Sequence, residues 1–159
     1  MNRVIKFRAK RMDSNEWLYG SLFTDKKNQP YIKEPNGKLY YIEDKDSVGQ
    51  FTNIKDKNGV EVYEGDIIRV KEYKNQAWGK GCCEPGFYDM FTLDELKGEL
   101  QKEYVSVVGW EEGSFAFSSN GEYNDCFLSV LFGDMKRSHP IFDFEVIGNI
   151  HDNPELLKK

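Results

Sequence analysis

The residues best spaced for chemistry lie near the start of the chain. Lys6, Arg8 and Lys10 recur at every second position, with Arg3 and Arg11 beside them. In an extended strand, alternate side chains stand roughly 7 Å apart on one face. Cations at that spacing can follow a phosphate backbone, so Lys6, Arg8, Lys10 and Arg11 are candidate nucleic-acid contacts. The competing expectation is a solvated strand face paired with some of the chain's 27 acidic residues.

A second group is aromatic. Trp78, Phe87, Tyr88 and Phe91 surround Lys80-Gly81-Cys82-Cys83-Glu84-Pro85-Gly86, a Gly/Pro-punctuated stretch that reads as a loop. Four large rings around such a loop are hard to bury in a small core. They are expected to pack on a partner or on a second copy of the chain. Tyr40 and Tyr41 are candidates for a binding surface, with the core or a subunit interface as the stronger expectation.

The remaining constellations carry less. Cys82 and Cys83 are adjacent, Cys126 is distant, and His139 and His151 are the only histidines. Zinc ligands need spacing that lets side chains converge, which adjacent cysteines lack. Asp44, Asp46 and Gly49 echo a calcium loop, but Val48 and Lys55 fall where oxygen ligands are required. No nucleophile elbow, phosphate loop or dinucleotide fingerprint is present. Glu111-Glu112 sits at an expected hairpin tip, where a carboxylate pair is ordinarily solvated. No catalytic residue and no cofactor is expected.

Composition sets the frame for these residues. A chain of 159 residues is one domain, or two small lobes sharing a core. Folding should withdraw roughly 70% of its unfolded surface from water, so no metal or disulfide is needed. Aromatic content of 14% supplies large core side chains, and 31% charged residues supply a solvated surface. No apolar run approaches the roughly 18 residues of a spanning helix, so no membrane partner is expected. The N-terminus lacks a signal-peptide pattern, which with three unspaced cysteines predicts a cytoplasmic protein with reduced thiols. A net charge of −5 disfavours generic polyanion binding without excluding a local basic patch.

The elements that would position these residues are mostly strands. Ile5, Phe7 and Ala9 alternate with the basic residues, which predicts a half-buried strand. A short strand follows around Trp17–Phe23. Residues 31–42 read as a hairpin about Asn36-Gly37, a pair suited to a primed turn. Asp56-Lys57-Asn58-Gly59 is a second turn. Tyr63-Glu64-Gly65-Asp66 then leads into a strand with Ile68 and Val70 on one face and Arg69 and Lys71 on the other.

Thr92 and Glu95 form a capping box, and Leu93, Leu96 and Leu100 make a stripe, so one helix is expected near 92–103. Gly98 costs that helix about 1 kcal/mol relative to alanine. Residues 105–117 read as a hairpin and 144–150 as a strand. Residues 127–132 fit strand or helix equally.

Three segments stand out together. They are Ile5-Lys6-Phe7-Arg8-Ala9, the stretch from Gln50-Phe51-Thr52 through Asp56-Lys57-Asn58-Gly59 to Tyr63-Glu64-Gly65-Asp66-Ile67, and Glu145-Val146-Ile147-Gly148-Asn149-Ile150-His151-Asp152-Asn153-Pro154-Glu155-Leu156. In this order and spacing they resemble the YopX family of phage and prophage proteins. The likeness spans the whole chain. Asn53 stands where the family usually has glycine, and Lys10-Arg11 where it often has Trp-Asp. Asn is the next-best residue at positive φ. The resemblance implies a mostly-β, self-associating protein without an assigned activity, and it supplies no catalytic residue. The stretch 73–104 looks variable for the family.

The combined expectation is a mostly-β chain with a minor α element, built as a small SH3-like barrel or two mixed sheets. It is a single domain over 1–159, or two lobes, 1–49 and 50–159, with an insertion at 73–104. Its expected role is that of a non-catalytic accessory protein in the host cytoplasm, a homo-oligomer that binds a host or phage macromolecule. The alternative is a nucleic-acid-binding module using the basic N-terminal strand. An enzyme comes third.

Overall fold

A computed structural model describes residues 4–11, 13–76, 93–111, 114–117, 125–126 and 141–158. Among these described residues, twelve strands, all paired antiparallel, form three sheets. The largest has six strands in the order β4-β3-β2-β1-β5-β6. Its members are β1 (Phe7–Lys10), β2 (Trp17–Thr24), β3 (Pro30–Lys33), β4 (Leu39–Tyr41), β5 (Gly49–Lys55) and β6 (Glu61–Tyr63). A second sheet orders β12 (Ile141–Asn149), β7 (Asp66–Asn75) and β8 (Lys97–Val107). A third joins β9 (Gly109–Glu111), β10 (Ser114–Phe117) and β11 (Asp125–Cys126). The sheets stay open and no barrel closes among the described residues, so of the two expected architectures the sheets are realised.

Two apolar clusters hold these layers. Ala9, Leu18, Ile32 and Ile42 pack beneath the N-terminal strands. Ile54, Val62, Ile68, Val70, Val108, Phe115, Phe117 and Phe144 pack where β5, β6 and the two smaller sheets converge. The alternation of β7 follows its sequence. Ile68 and Val70 are fully buried, while Arg69 reaches Glu145 at 2.7 Å across β12. Ile67 is also fully buried, so the start of β7 is covered on both faces.

Tight turns link the strands, and three share one construction. In Asp25–Gln29, Glu34–Lys38 and Asp56–Val60 the first and last residues hydrogen-bond, and the fourth residue is left-handed: Asn28 (φ 61°), Gly37 (φ 87°) and Gly59 (φ 81°). This corrects the primed turn expected at Asn36-Gly37. Only Gly37 adopts positive φ, the arrangement of a turn followed by a glycine bulge. The first acid of two of these turns fastens them: Asp25 and Asp56 each accept two backbone amides of their own loop. Asn53 adopts φ 64°, the conformation expected for a residue in glycine's place.

The helix expected near 92–103 is present only as α1 (Leu93–Leu96). From Lys97 the chain is extended and pairs with β7 from Asn75↔Lys97 to Ile67↔Val107. The reason is tertiary. A ready partner strand satisfies the backbone along the whole stretch, which outweighs the helix propensity of its Leu, Glu, Lys and Gln residues, a propensity that Gly98 already lowers. Gly98 suits close approach, because a Cβ there would stand 2.7 Å from the Lys74 carbonyl oxygen. The Leu stripe is split accordingly, with Leu96 buried and Leu100 46% exposed. Thr92, the expected cap, lies outside the described residues, as do residues 127–132. Strand β12 covers most of the expected 144–150 but begins earlier, at Ile141, and the hairpin expected over 105–117 is confined to β9 and β10, because Val105 and Val107 belong to β8 and pair with β7.

Candidate functional site

Strand β1 lies inside the six-stranded sheet, between β2 and β5. Phe7 and Ala9 face the N-terminal core as expected, whereas Ile5, expected on the same face, precedes the strand and is 65% exposed, and the face that carries Arg8 is not open to water. Arg8 is only 6% exposed. It sits opposite Tyr19 on β2 and Gly49 on β5. A Cβ at Gly49 would lie 2.5 Å from the Glu64 carbonyl oxygen, so the absent side chain lets the Tyr63–Asp66 turn close over the arginine. This corrects the half-buried strand read from the sequence.

The turn wraps the guanidinium. Nη1 stands 2.6 Å from Asp66 Oδ1, and Nη2 donates to the Glu64 carbonyl at 3.1 Å. The guanidinium carbon lies 4.6 Å from the Trp17 ring centre and 5.0 Å from that of Tyr63, a cation held by two rings. The second Asp66 oxygen accepts the Tyr63 amide at 2.7 Å. Gly65 continues the clasp: its amide donates to Val108 and its carbonyl accepts from Ile150. Burial pushes the Asp66 carboxyl up, and Arg8 and the Tyr63 amide pull it back. Burial, and then the bond to Glu61, also push the Tyr63 phenol up.

The other basic residues are paired as well. Lys6 meets Glu61 at 2.6 Å, and the Tyr63 hydroxyl donates to the same carboxylate oxygen at 2.8 Å. Lys10 meets Asp152 at 2.5 Å. Arg11 holds Asp13 with two nitrogens and lies over the Tyr40 ring. Lys6, Arg8 and Lys10 are thus brought together with acids from distant segments, while Arg11 pairs locally.

The C-terminal turn completes the assembly. Asp152 accepts the Trp17 indole at 2.7 Å and the Asn149 side-chain amide at 2.8 Å. Asn149 in turn accepts the backbone amides of His151 and Asp152. The His151 ring meets Trp17 edge-on. The Lys10, Asn149 and Trp17 bonds hold the Asp152 carboxyl well below the ordinary carboxylate range, and Lys6 depresses Glu61 in the same sense. A depressed carboxylate stabilises the fold above its unfolded pKa and loses that contribution as pH falls through the folded value. Stability should therefore decline on acidification below about pH 4. The Asp152→Asn variant should show a flatter acid limb in denaturation midpoints measured from pH 7 to 3. An unchanged slope would contradict the role of Asp152.

The three segments that stood out in the sequence are those that meet in this clasp. The family model described as YopX protein matches residues 6–158. The chain belongs to the YopX family. Among solved structures, the crystal structure of protein EF1440 from Enterococcus faecalis is similar to this YopX chain. The two are 24% identical, the match covers 99% of this chain and 100% of that one, and the TM-score is 0.50. At that identity the likeness concerns the fold alone. A search of curated proteins found no match.

Trp78, Phe87, Tyr88 and Phe91 lie outside the described residues, as do Cys82, Cys83, Glu112 and His139. Asp44 caps a short 3-10 turn by accepting the Asp46 amide, as an ordinary acidic loop does. Among the described residues no group of three His, Cys, Asp or Glu is placed to hold a metal ion. No helix among them is long and apolar enough to cross a membrane.

Tyr41 stood out in the sequence and is exposed rather than in the core, but the surface it shares with Phe23 and Tyr31 was missed. Phe23, Tyr31 and Tyr41 stand directly opposite one another on β2, β3 and β4, with ring centres 5.6 and 5.7 Å apart. Phe23 is 45% and Tyr41 62% exposed. A signal was present: Leu22, Ile32 and Ile42 neighbour these rings in the chain and face the core, so period two turns the rings outward.

Proposed function

We propose that this YopX-family protein is a non-catalytic accessory protein of a phage or prophage. It acts in the host cytoplasm, self-associates, and binds a macromolecule through an exposed sheet face. One observation carries this reading. Lys6, Arg8 and Lys10 are engaged with Glu61, Asp66 and Asp152 in the clasp, while the Phe23 and Tyr41 rings remain exposed on the outer face of β2 and β4. A catalytic acid or base needs an accessible group poised near working pH. Lys6, Glu61, Lys10 and Asp152 are instead paired, and Arg8 and Asp66 are buried. The same pairing weighs against the basic strand as a nucleic-acid track.

Trp78, Phe87, Tyr88 and Phe91 are proposed to pack on a partner or on a second copy of the chain. Light scattering of the purified protein should give a mass of at least two 18.5-kDa chains. Affinity capture from infected host cells should retain a partner that a Phe23→Ala, Tyr41→Ala variant releases. A monomer that captures nothing contradicts the proposal.

A further inference from the structure

The chain is acidic as a whole, yet residues 17–42 carry four lysines against two acids, a net charge of +2 in a chain of −5. Both acids already have local duties. Asp25 accepts the amides of Lys27 and Gln29, and Glu34 accepts the side-chain amide of Asn36. Lys26, Lys27, Lys33 and Lys38 are exposed, and none forms an ion pair among the described residues. By contrast, every cation of the basic N-terminal strand has a carboxylate partner.

These lysines bracket the aromatic ladder. Lys26 and Lys27 occupy the turn that joins β2 to β3, just beyond Phe23 and Tyr31. Lys33 lies two residues past Tyr31 on the same face of β3, opposite Leu39, and Lys38 is in the turn that follows. Two exposed rings, Phe23 and Tyr41, with half-buried Tyr31 between them and lysines on both flanks, match a polymer that alternates flat apolar groups with anions. An acidic protein would satisfy the lysines but has no reason to meet three rings in a row. A duplex would offer phosphates but keeps the faces of its bases stacked.

We infer that the outer face of β2, β3 and β4 is a docking platform for single-stranded nucleic acid. Bases stack on the outer rings, Phe23 and Tyr41, which Tyr31 supports from between, and the flanking lysines contact phosphates. The inference rests on the reading of this face as a macromolecule-binding surface and names its partner class.

The test is fluorescence anisotropy of the full chain with a labelled ~20-nucleotide oligothymidylate. A duplex of equal length and a polyglutamate peptide serve as competitors. Binding through about four lysines predicts a slope of log affinity on log salt near −3. Phe23→Leu and Tyr41→Leu keep apolar bulk at exposed positions, so the fold is preserved, and each should weaken binding roughly tenfold. Lys33→Glu with Lys38→Glu should weaken binding and reduce the slope by about 1.4. Lys102→Glu, on the other sheet, should leave affinity within about twofold.

Three results would each overturn the inference. They are no binding at low salt, binding indifferent to both ring variants, and polyglutamate competing as well as the oligonucleotide. If the oligonucleotide fails while Phe23 and Tyr41 still hold a captured protein partner, only the nucleic-acid assignment falls. A monomer that captures nothing defeats the functional reading itself.

Discussion

Replacing Arg8 by alanine should cost about 3–5 kcal/mol of folding stability, the typical penalty for removing one partner of a buried ion pair. The magnitude follows from what stays behind. Asp66 would keep a carboxylate in a site where it is 1% exposed, with only the Tyr63 amide to satisfy it. The Glu64 carbonyl would lose its donor, and the facing rings of Trp17 and Tyr63 would border a cavity where the guanidinium had been. Lysine should not rescue the variant. A single ammonium cannot reach Asp66 and Glu64 in the fork that the guanidinium spans, nor present a flat face to two rings. Urea denaturation of the wild type, Arg8→Ala and Arg8→Lys checks this. A loss below about 1 kcal/mol for alanine would mean that the turn closes without the arginine.

Asp56→Ala is the second large effect, expected at about 3–4 kcal/mol from three lost bonds to a buried acceptor. One Asp56 oxygen accepts the amides of Asn58 and Val60 at 2.8 Å each. The other accepts the amide of Val146 at 3.0 Å, tying the turn to β12. Asp56 is 6% exposed, so water does not readily replace it. The amide variant separates the two roles. Asparagine can accept the two turn amides through its oxygen, but its NH2 would then face the Val146 amide, donor against donor. Asp56→Asn should therefore lose about 1–2 kcal/mol, between the wild type and alanine. If Asn and Ala are equally destabilised, the turn amides carry nothing. If Asn matches the wild type, the bond to Val146 carries nothing.

Local features of this fold were legible in the sequence, and non-local ones were not. Strands β1, β7 and β12 and the turns at Gly37 and Gly59 announce themselves through period-two patterning and turn residues, which depend only on neighbours in the chain. The left-handed Asn53 was legible only through the family resemblance, which puts it where glycine is usual. The helix expected near 92–103 failed because the competing conformation needs β7, and no residue of 93–104 encodes the availability of that partner. The barrel gave way to open sheets because closure depends on strand order, which periodicity does not encode.

The candidate site divides in the same way. Lys6, Arg8 and Lys10 do alternate along one strand. Their spacing cannot reveal that Glu61, Asp66 and Asp152 arrive on that face from the middle and the end of the chain. The expectation of carboxylate pairing anticipated the partners' chemistry but not the burial of Arg8. The exposed ladder depends on the registers of β2 with β3 and β3 with β4, which set three rings in line. Each ring taken alone reads as one more aromatic residue in an aromatic-rich chain.

The central claim is that Arg8, Asp66 and the charged residues around them build a clasp within the fold rather than a working surface. A double-mutant cycle on Arg8→Met and Asp66→Leu, measured by urea denaturation, tests it most directly. Each single variant strands a buried group, whereas the pair of apolar residues fills the site without an unpaired charge. The account predicts two costly single variants, a double variant more stable than either, and a coupling of several kcal/mol. Two single variants within about 1 kcal/mol of the wild type, adding without coupling, would contradict it.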